Sequence, residues 1–164
     1  MINGASIRRM TTTWGQFSAS APEIAEAARA LLTVPGQGFG YLATVGADGA
    51  PRIHPIMPVW ASGSMFAFIE PSPKLRDLAR DGRYALHSTG SEDVDDELMV
   101  AGRAVVREEP ALREAAVAAC PFPPGAQSAL VELLLDRVMW AHYEPRGVFP
   151  PQYRVWRAPA AAES

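Results

Sequence analysis

Apolar and polar positions alternate through much of the chain, most clearly between residues 39 and 88. Three runs of aromatic and β-branched residues follow one another there, at 39–45 (FGYLATV), 51–60 (PRIHPIMPVW) and 64–69 (SMFAFI). Runs of this length and composition predict strands. Asp48-Gly49 separates the first two, with a glycine free to adopt positive φ, and Ala61-Ser62-Gly63 separates the second from the third. The spacing therefore predicts a hairpin extended into a three-strand antiparallel meander. The period then changes. Leu75, Leu78 and Ala79 share one face of a predicted helix and Arg76, Asp77 and Arg80 the other. Ser72 offers an N-cap oxygen and Pro73 occupies the first helical position.

Further strands are predicted at 84–87, 98–106, 137–143 and 153–157. Ser20-Ala21-Pro22-Glu23 reads as a capping box opening a helix with Ile24, Ala27, Ala28, Leu31 and Leu32 on one face, ended by Val34-Pro35-Gly36. Pro110 opens another over 111–119, which Pro121-Phe122-Pro123-Pro124-Gly125 breaks, and residues 128–135 predict a shorter apolar helix. Residues 1–19 lack periodicity, so a flexible tail is expected, with Trp14 and Phe17 free to dock on a neighbour. Residues 20–158 then form a single domain and 159–164 a second tail. In the 51–60 run, Pro51, Pro55 and Pro58 cannot donate to a ladder. That strand must lie at an edge, bulge, or face something other than a partner strand. Its unpaired backbone groups could meet a ligand, or the prolines could simply guard an edge against aggregation.

Composition narrows the function. With 164 residues, 48% of them hydrophobic, the chain fits one domain with a sizeable core. A net charge of −3 with interspersed signs argues against nucleic-acid binding. No run is long enough for a membrane span and residues 1–13 lack the apolar core of a signal peptide, so a cytoplasmic protein is expected. The single cysteine, Cys120, excludes an internal disulfide and is expected to be buried and inert. His54, His87 and His142 fall on different strands with no metal-ligand spacing, so no metal site is expected. The acidic stretch 91–97 (SEDVDDE) reads as a solvated loop without EF-hand spacing. His54 shares a face with Arg52 by the period of two; it could serve a ligand or be satisfied by backbone. Ser72 and Lys74, at a helix end rich in free N–H groups, could close around a phosphate, although many surface helices begin in this way without a ligand.

Taken together, Leu42-Ala43-Thr44-Val45, the Asp48-Gly49 turn, Pro51-Arg52-Ile53-His54-Pro55, the 65–69 strand, the stretch from Ser72 to Leu78, the turn at 80–83 and the strand at 84–87 resemble the pyridoxamine 5′-phosphate oxidase-like family of flavin-binding split β-barrels. The resemblance implies a mainly β fold, an antiparallel split barrel with flanking helices, and a homodimer with flavin mononucleotide (FMN) at its interface. It places Arg52, Ser72 and Lys74 on the phosphate, and the backbone of Arg52, Ile53, His54, Pro55, Ile56, Phe68 and Ile69 along the flavin ring. It puts Glu97 where the family often has a polar side chain reaching the partner's flavin, and Trp156 and Arg157 near that same flavin. Two positions depart from the oxidases proper, which have lysine at Met57 and arginine at Pro73. Each charge-assisted hydrogen bond lost weakens phosphate binding by about 1.5–3 kcal/mol. Oxidation of vitamin B6 phosphates is therefore not expected. The resemblance implies an FMN-dependent oxidoreductase acting on a small molecule not identified by the sequence, with no residue declaring itself an acid, base or nucleophile. A deazaflavin (factor 420) reductase, with Arg76, Arg80 and Arg83 near the cofactor's acidic tail, and a non-catalytic flavin- or haem-binding module are the alternatives.

Overall fold

The computed structural model describes residues 11–33, 40–90 and 92–160. Two helices open it, α1 (Trp14–Ser20) and α2 (Pro22–Leu32). The capping box lies at α1, where Thr13 and Gln16 satisfy each other's backbone N–H groups; at α2, Ala21 is the N-cap with no side-chain bond and Pro22 follows it. The expected flexible tail is therefore helical from Trp14 onward. Trp14 and Phe17 are buried in the chain's own core, and Trp14 packs edge-on against Trp60 at 5.4 Å. Burying two aromatic rings supplies the driving force that local periodicity over seven residues could not reveal. Residues 1–10 and 161–164, the stop signal at 34–36 and the strand start at Phe39 lie outside the described residues.

Eight strands follow: β1 (Gly40–Val45), β2 (Pro51–Ile56), β3 (Val59–Ala61), β4 (Ser64–Ile69), β5 (Arg83–Ser88), β6 (Glu97–Arg107), β7 (Ala129–His142) and β8 (Gln152–Arg157). Helix α3 (Pro73–Arg80) follows β4, and α4 (Pro110–Ala119) follows β6. The strands form one antiparallel sheet in the order β2-β1-β5-β6-β7-β4-β3, with β8 added to β7. The expected meander does not form. The 51–60 run breaks at Met57-Pro58 into two strands that sit at opposite ends of this path, so β1–β2 and β3–β4 are separate hairpins. A buried proline at 58, without an N–H to donate, marks the place where the chain leaves one edge for the other. Pro51 and Pro55 accordingly lie in an edge strand.

The expected helix at 128–135 does not form; residues 129–135 are the first half of β7. Leu130, Val131, Glu132, Leu133 and Leu135 are all buried. Near-continuous burial erases the alternation that distinguishes strand from helix in a short apolar run. β7 pairs with β6 along almost its whole length, with β4 through Ala129 to Glu132, and with β8 through Arg137 to His142. Its buried Glu132 accepts from Ser64 Oγ on β4 at 2.5 Å and from Arg107 Nε on β6 at 2.7 Å, tying three strands together. A bulge at Ala101/Gly102 sits where a Cβ on Gly102 would meet Leu134 O at 1.9 Å, so only glycine allows β6 and β7 to approach there.

The inner face of the sheet carries Leu42, Leu86, Leu98, Val100 and Val138 into the main core, over which α1 and α2 pack. On the outer face, cross-strand neighbours form a row through Pro55, Tyr41, His87, Met99, Met139 and Val155. Ile53, beside that row, is 70% exposed and Tyr41 51%.

Candidate functional site

The chain leaves β4 at Ile69 and turns into α3, whose first turn faces β2. Ser72, in extended conformation, caps the helix: its Oγ accepts from Leu75 N–H at 3.4 Å, which leaves the hydroxyl hydrogen free to donate elsewhere. Pro73 has no N–H, so Lys74 carries the first amide of the helix able to face a ligand. The Lys74 ammonium reaches the Pro55 carbonyl of β2 at 3.4 Å and has no carboxylate partner among the described residues. Burial holds its pKa below the ordinary lysine value. A cation that has lost solvent without gaining a counter-ion is an anion site in waiting.

His54 and Arg52 lie on the same face of β2, as the period of two requires. Burial holds the His54 pKa below its ordinary value; the charges of Lys74 and Arg52 push the same way and Asp77 opposes them. Lys74, Arg52 and Asp77 thus all lie near enough to His54 to act on its charge. His54 Nε2 is buried and has no hydrogen-bond partner, so the reading in which backbone satisfies this ring nitrogen does not hold. Arg52 is not a free cation: its Nη1 lies 3.5 Å from Asp77 Oδ2.

Asp77 is the residue that sequence reasoning misplaced. The helical period puts it on the polar outer face of α3, yet it is only 3% exposed, whereas Ala79, on the apolar face by the same period, is exposed. Thr44 Oγ1 donates to Asp77 Oδ2 at 3.2 Å, Arg80 Nη1 to Oδ1 at 3.3 Å, and Arg80 also donates to the Val45 carbonyl. The carboxylate pins α3 to β1 and holds Arg52 beside the helix. Two cations, Arg52 and Arg80, face this one carboxylate. The remaining positive charge suits a phosphate, and the only hint in the sequence is Arg80 one turn after Asp77.

The ring-lining residues divide by side chain. Ile56 and Ile69 bury theirs in the core, Ile53 turns outward, and only their backbone could meet a ligand. Pro55, Ile56 and Phe68 line a cavity of about 250 Å³ between the end of β2, the end of β4 and the loop after α4. Lys74 and Glu70 stand at this cavity, as do Met57 and half-buried Cys120. Cys120 is therefore not the deeply buried thiol expected.

Other candidates lie elsewhere. The 91–97 stretch is not merely solvated: Asp96 accepts from Trp140 Nε1 at 2.8 Å, His142 Nδ1 at 2.8 Å and Tyr143 N at 2.9 Å. The hydrogen bond to Asp96 raises the His142 pKa. Glu97 is exposed at the start of β6. Trp156 packs on Phe17 at 4.8 Å and donates to Ser20 Oγ, while Arg157 is exposed. No helix among the described residues is long and apolar enough to cross a membrane.

Among the described residues, an antiparallel sheet of eight strands with four helices, open between β2 and β3 and presenting a helix start to its edge strand, defines the split-barrel class. The chain belongs to the pyridoxamine 5′-phosphate oxidase family, which it matches over residues 24–140. No curated protein sequence matches it significantly. Among solved structures it is similar to a haem-binding protein from Mycobacterium smegmatis, with 21% identity, a TM-score of 0.64 and coverage of 83% of this chain. The chain spans 58% of that protein's length. It is also similar to a protein of the pyridoxine-phosphate oxidase family from Clostridium acetobutylicum that is related to general stress protein 26 of Bacillus subtilis, with 12% identity, a TM-score of 0.56 and coverage of 87% and 95% of the two chains. A third is a protein from Mesorhizobium loti described as FAD-binding, with 19% identity, a TM-score of 0.56 and coverage of 70% and 91%. At these identities the likeness establishes the fold.

Proposed function

We propose that this protein binds FMN at the start of α3 and serves as a flavin-dependent oxidoreductase, working as a homodimer on a small-molecule substrate. The observation that carries the reading is a pair of groups near one another: the Lys74 ammonium, bonded to a carbonyl but to no carboxylate among the described residues, and His54 Nε2 without a partner. Lys74, the Ser72 hydroxyl and Arg52 would hold the phosphate. The backbone of β2, an edge strand with groups to spare, and of Phe68-Ile69 would line the ring, with His54 free to donate to or accept from it. Bound FMN would supply hydride-transfer chemistry, which these residues do not have. Their part is to orient the group, exclude water and compensate its charge.

The lack of cationic side chains at Met57 and Pro73 argues against vitamin B6 phosphates as substrates. Deazaflavin is less well served: of the arginines expected to meet its acidic tail, Arg80 is engaged by Asp77 and Arg83 by Asp81. One observation favours haem as a second reading. His87 Nδ1 lies 2.7 Å from the Ser88 carbonyl, which can only accept, so Nδ1 donates there and Nε2 is the ring nitrogen left for a ligand, the arrangement of a metal-ligating imidazole.

Titration of the purified protein with FMN, followed by flavin fluorescence, tests the main reading. Tight binding is expected, weakened by Lys74→Ala about 10- to 100-fold, in line with loss of a charge-assisted bond, and less by Ser72→Ala. Equal affinity in the parent protein and both variants would remove the phosphate assignment. A Soret band on addition of haem, lost in His87→Ala, would support the second reading instead.

A further inference from the structure

The outer face of the sheet is electrically polarised along its strands. Across β6, β7 and β8 the register defines successive rows: Glu97, Ala141 and Tyr153; then Met99, Met139 and Val155; then Ala101, Arg137 and Arg157. On each strand these positions are two residues apart, so all the rows share one face of the sheet. The first row carries a carboxylate, the last two guanidinium groups, and the row between them is apolar.

The charged ends have little to engage them within the chain. Glu97 is exposed and has no hydrogen bond or ion pair among the described residues, and the same holds for Arg157. Arg137 is half-buried: its Nη2 meets the Met139 sulfur at 3.7 Å, and its Nε is buried without a hydrogen-bond partner. Arg137 and Arg157 also stand directly opposite each other on β7 and β8. Such a like-charge pair weakens a sheet unless a negative group meets it.

A second copy of the chain supplies that group. In a two-fold dimer one surface patch must fit its own copy. A two-fold axis running along the strands would lay the acidic row on the acidic row and the arginine row on the arginine row. An axis running across the strands, through the row of Met99 and Met139, reverses each strand over itself and exchanges the two ends. Glu97 then comes to lie over the partner's Ala101, whose small side chain leaves room for it, with the partner's Arg137 on the neighbouring strand. Arg157 comes to lie over the partner's Tyr153, a ring that is 57% exposed and offers its face to a cation. Met99, Met139 and Val155 close on their own equivalents as an apolar strip between the charged rows.

We propose that two copies of this chain pack outer face to outer face about a two-fold axis through the row of Met99 and Met139, locked by reciprocal ion pairs between Glu97 of each copy and Arg137 of the other. This pairing rests on the homodimer reading and sets the register of that dimer.

Light scattering during gel filtration, over a range of protein concentrations, tests it. The parent protein is expected to have the mass of two chains. Glu97→Arg and Arg137→Glu should each raise the dimer dissociation constant about 100-fold, because each sets like charges together at both ends of the axis. Mixed in equal amounts, the two variants should regain the parent's affinity as a heterodimer, in which both contacts again join opposite charges. A role of either residue within its own chain would give no such rescue. Glu97 is exposed, so Glu97→Arg should leave the circular-dichroism melt unchanged. If Arg137→Glu lowers the melt, Arg137→Gln takes its place and should restore part of the affinity when mixed with Glu97→Arg. Dimerisation of Glu97→Arg at the parent's affinity would overturn the pairing and leave the homodimer standing, as would single variants that dissociate and stay apart when mixed. A parent protein with the mass of one chain at every concentration would overturn both.

Discussion

His54 and His142 make stability depend on pH in opposite directions. Burial, reinforced by Lys74 and Arg52 against the opposing Asp77, lowers the pKa of His54. The unfolded chain takes up this proton near pH 6.5, while the folded chain resists it. The His54 contribution is therefore present above that pH and is lost as pH falls through the folded value. For His142, raised by its hydrogen bond to Asp96, the contribution is complete below about pH 6.5 and fades as pH rises through the folded value. Thermal melts between about pH 5 and 8 should show a weaker acid-side loss for His54→Gln and a weaker alkaline-side loss for His142→Gln. The helix start in the sequence pointed to Ser72 and Lys74, the family resemblance added Arg52, and in the fold Arg52 and Lys74 both lie near His54. What residue types cannot disclose is which charges are already compensated. Arg52 and Lys74 look alike in a sequence, yet one has Asp77 beside it and the other has only a carbonyl.

At the scale of elements, the strongest constraint on the sheet is the carboxylate inside β7. Glu132 is 4% exposed and depends on Arg107 and Ser64 for compensation. Arg107→Ala should cost about 3 kcal/mol, toward the low end for a broken buried pair because the arginine keeps some contact with water. Replacing both members by methionine should recover much of that loss in urea unfolding. The two tight turns and α3 were legible because turn glycines and a serine-proline start are local signals, whereas the split of the expected meander into two hairpins was not. The strand nature of residues 129–135 was not, since burial on both faces comes from partners distant in sequence. The helical character of residues 14–20 was hidden for a related reason: its energy lies in tertiary contacts of Trp14 and Phe17.

For the molecule as a whole, the outer face of the sheet supports the proposed homodimer. The row from Pro55 to Val155 crosses six strands, and Tyr41, Ile53, Tyr153 and Val155 stand exposed on this face. Apolar groups gathered on one sheet face are what a partner surface covers. Ile53→Asp should shift the protein from dimer to monomer in sedimentation velocity without loss of helical or sheet signal; an unchanged sedimentation coefficient would place the interface elsewhere. The family was legible from the order of short motifs, but the path of the strands was not, because no local signal reports that consecutive strands belong at opposite margins.

The turn-off at Met57-Pro58 has one further consequence. With only two residues between Ile56 and Val59, the two free margins of the sheet are tethered like the lips of a purse. Neither can retreat without drawing the other along, so the mouth that they frame keeps a fixed width, and a guest must fit that width because the protein has little slack with which to widen it.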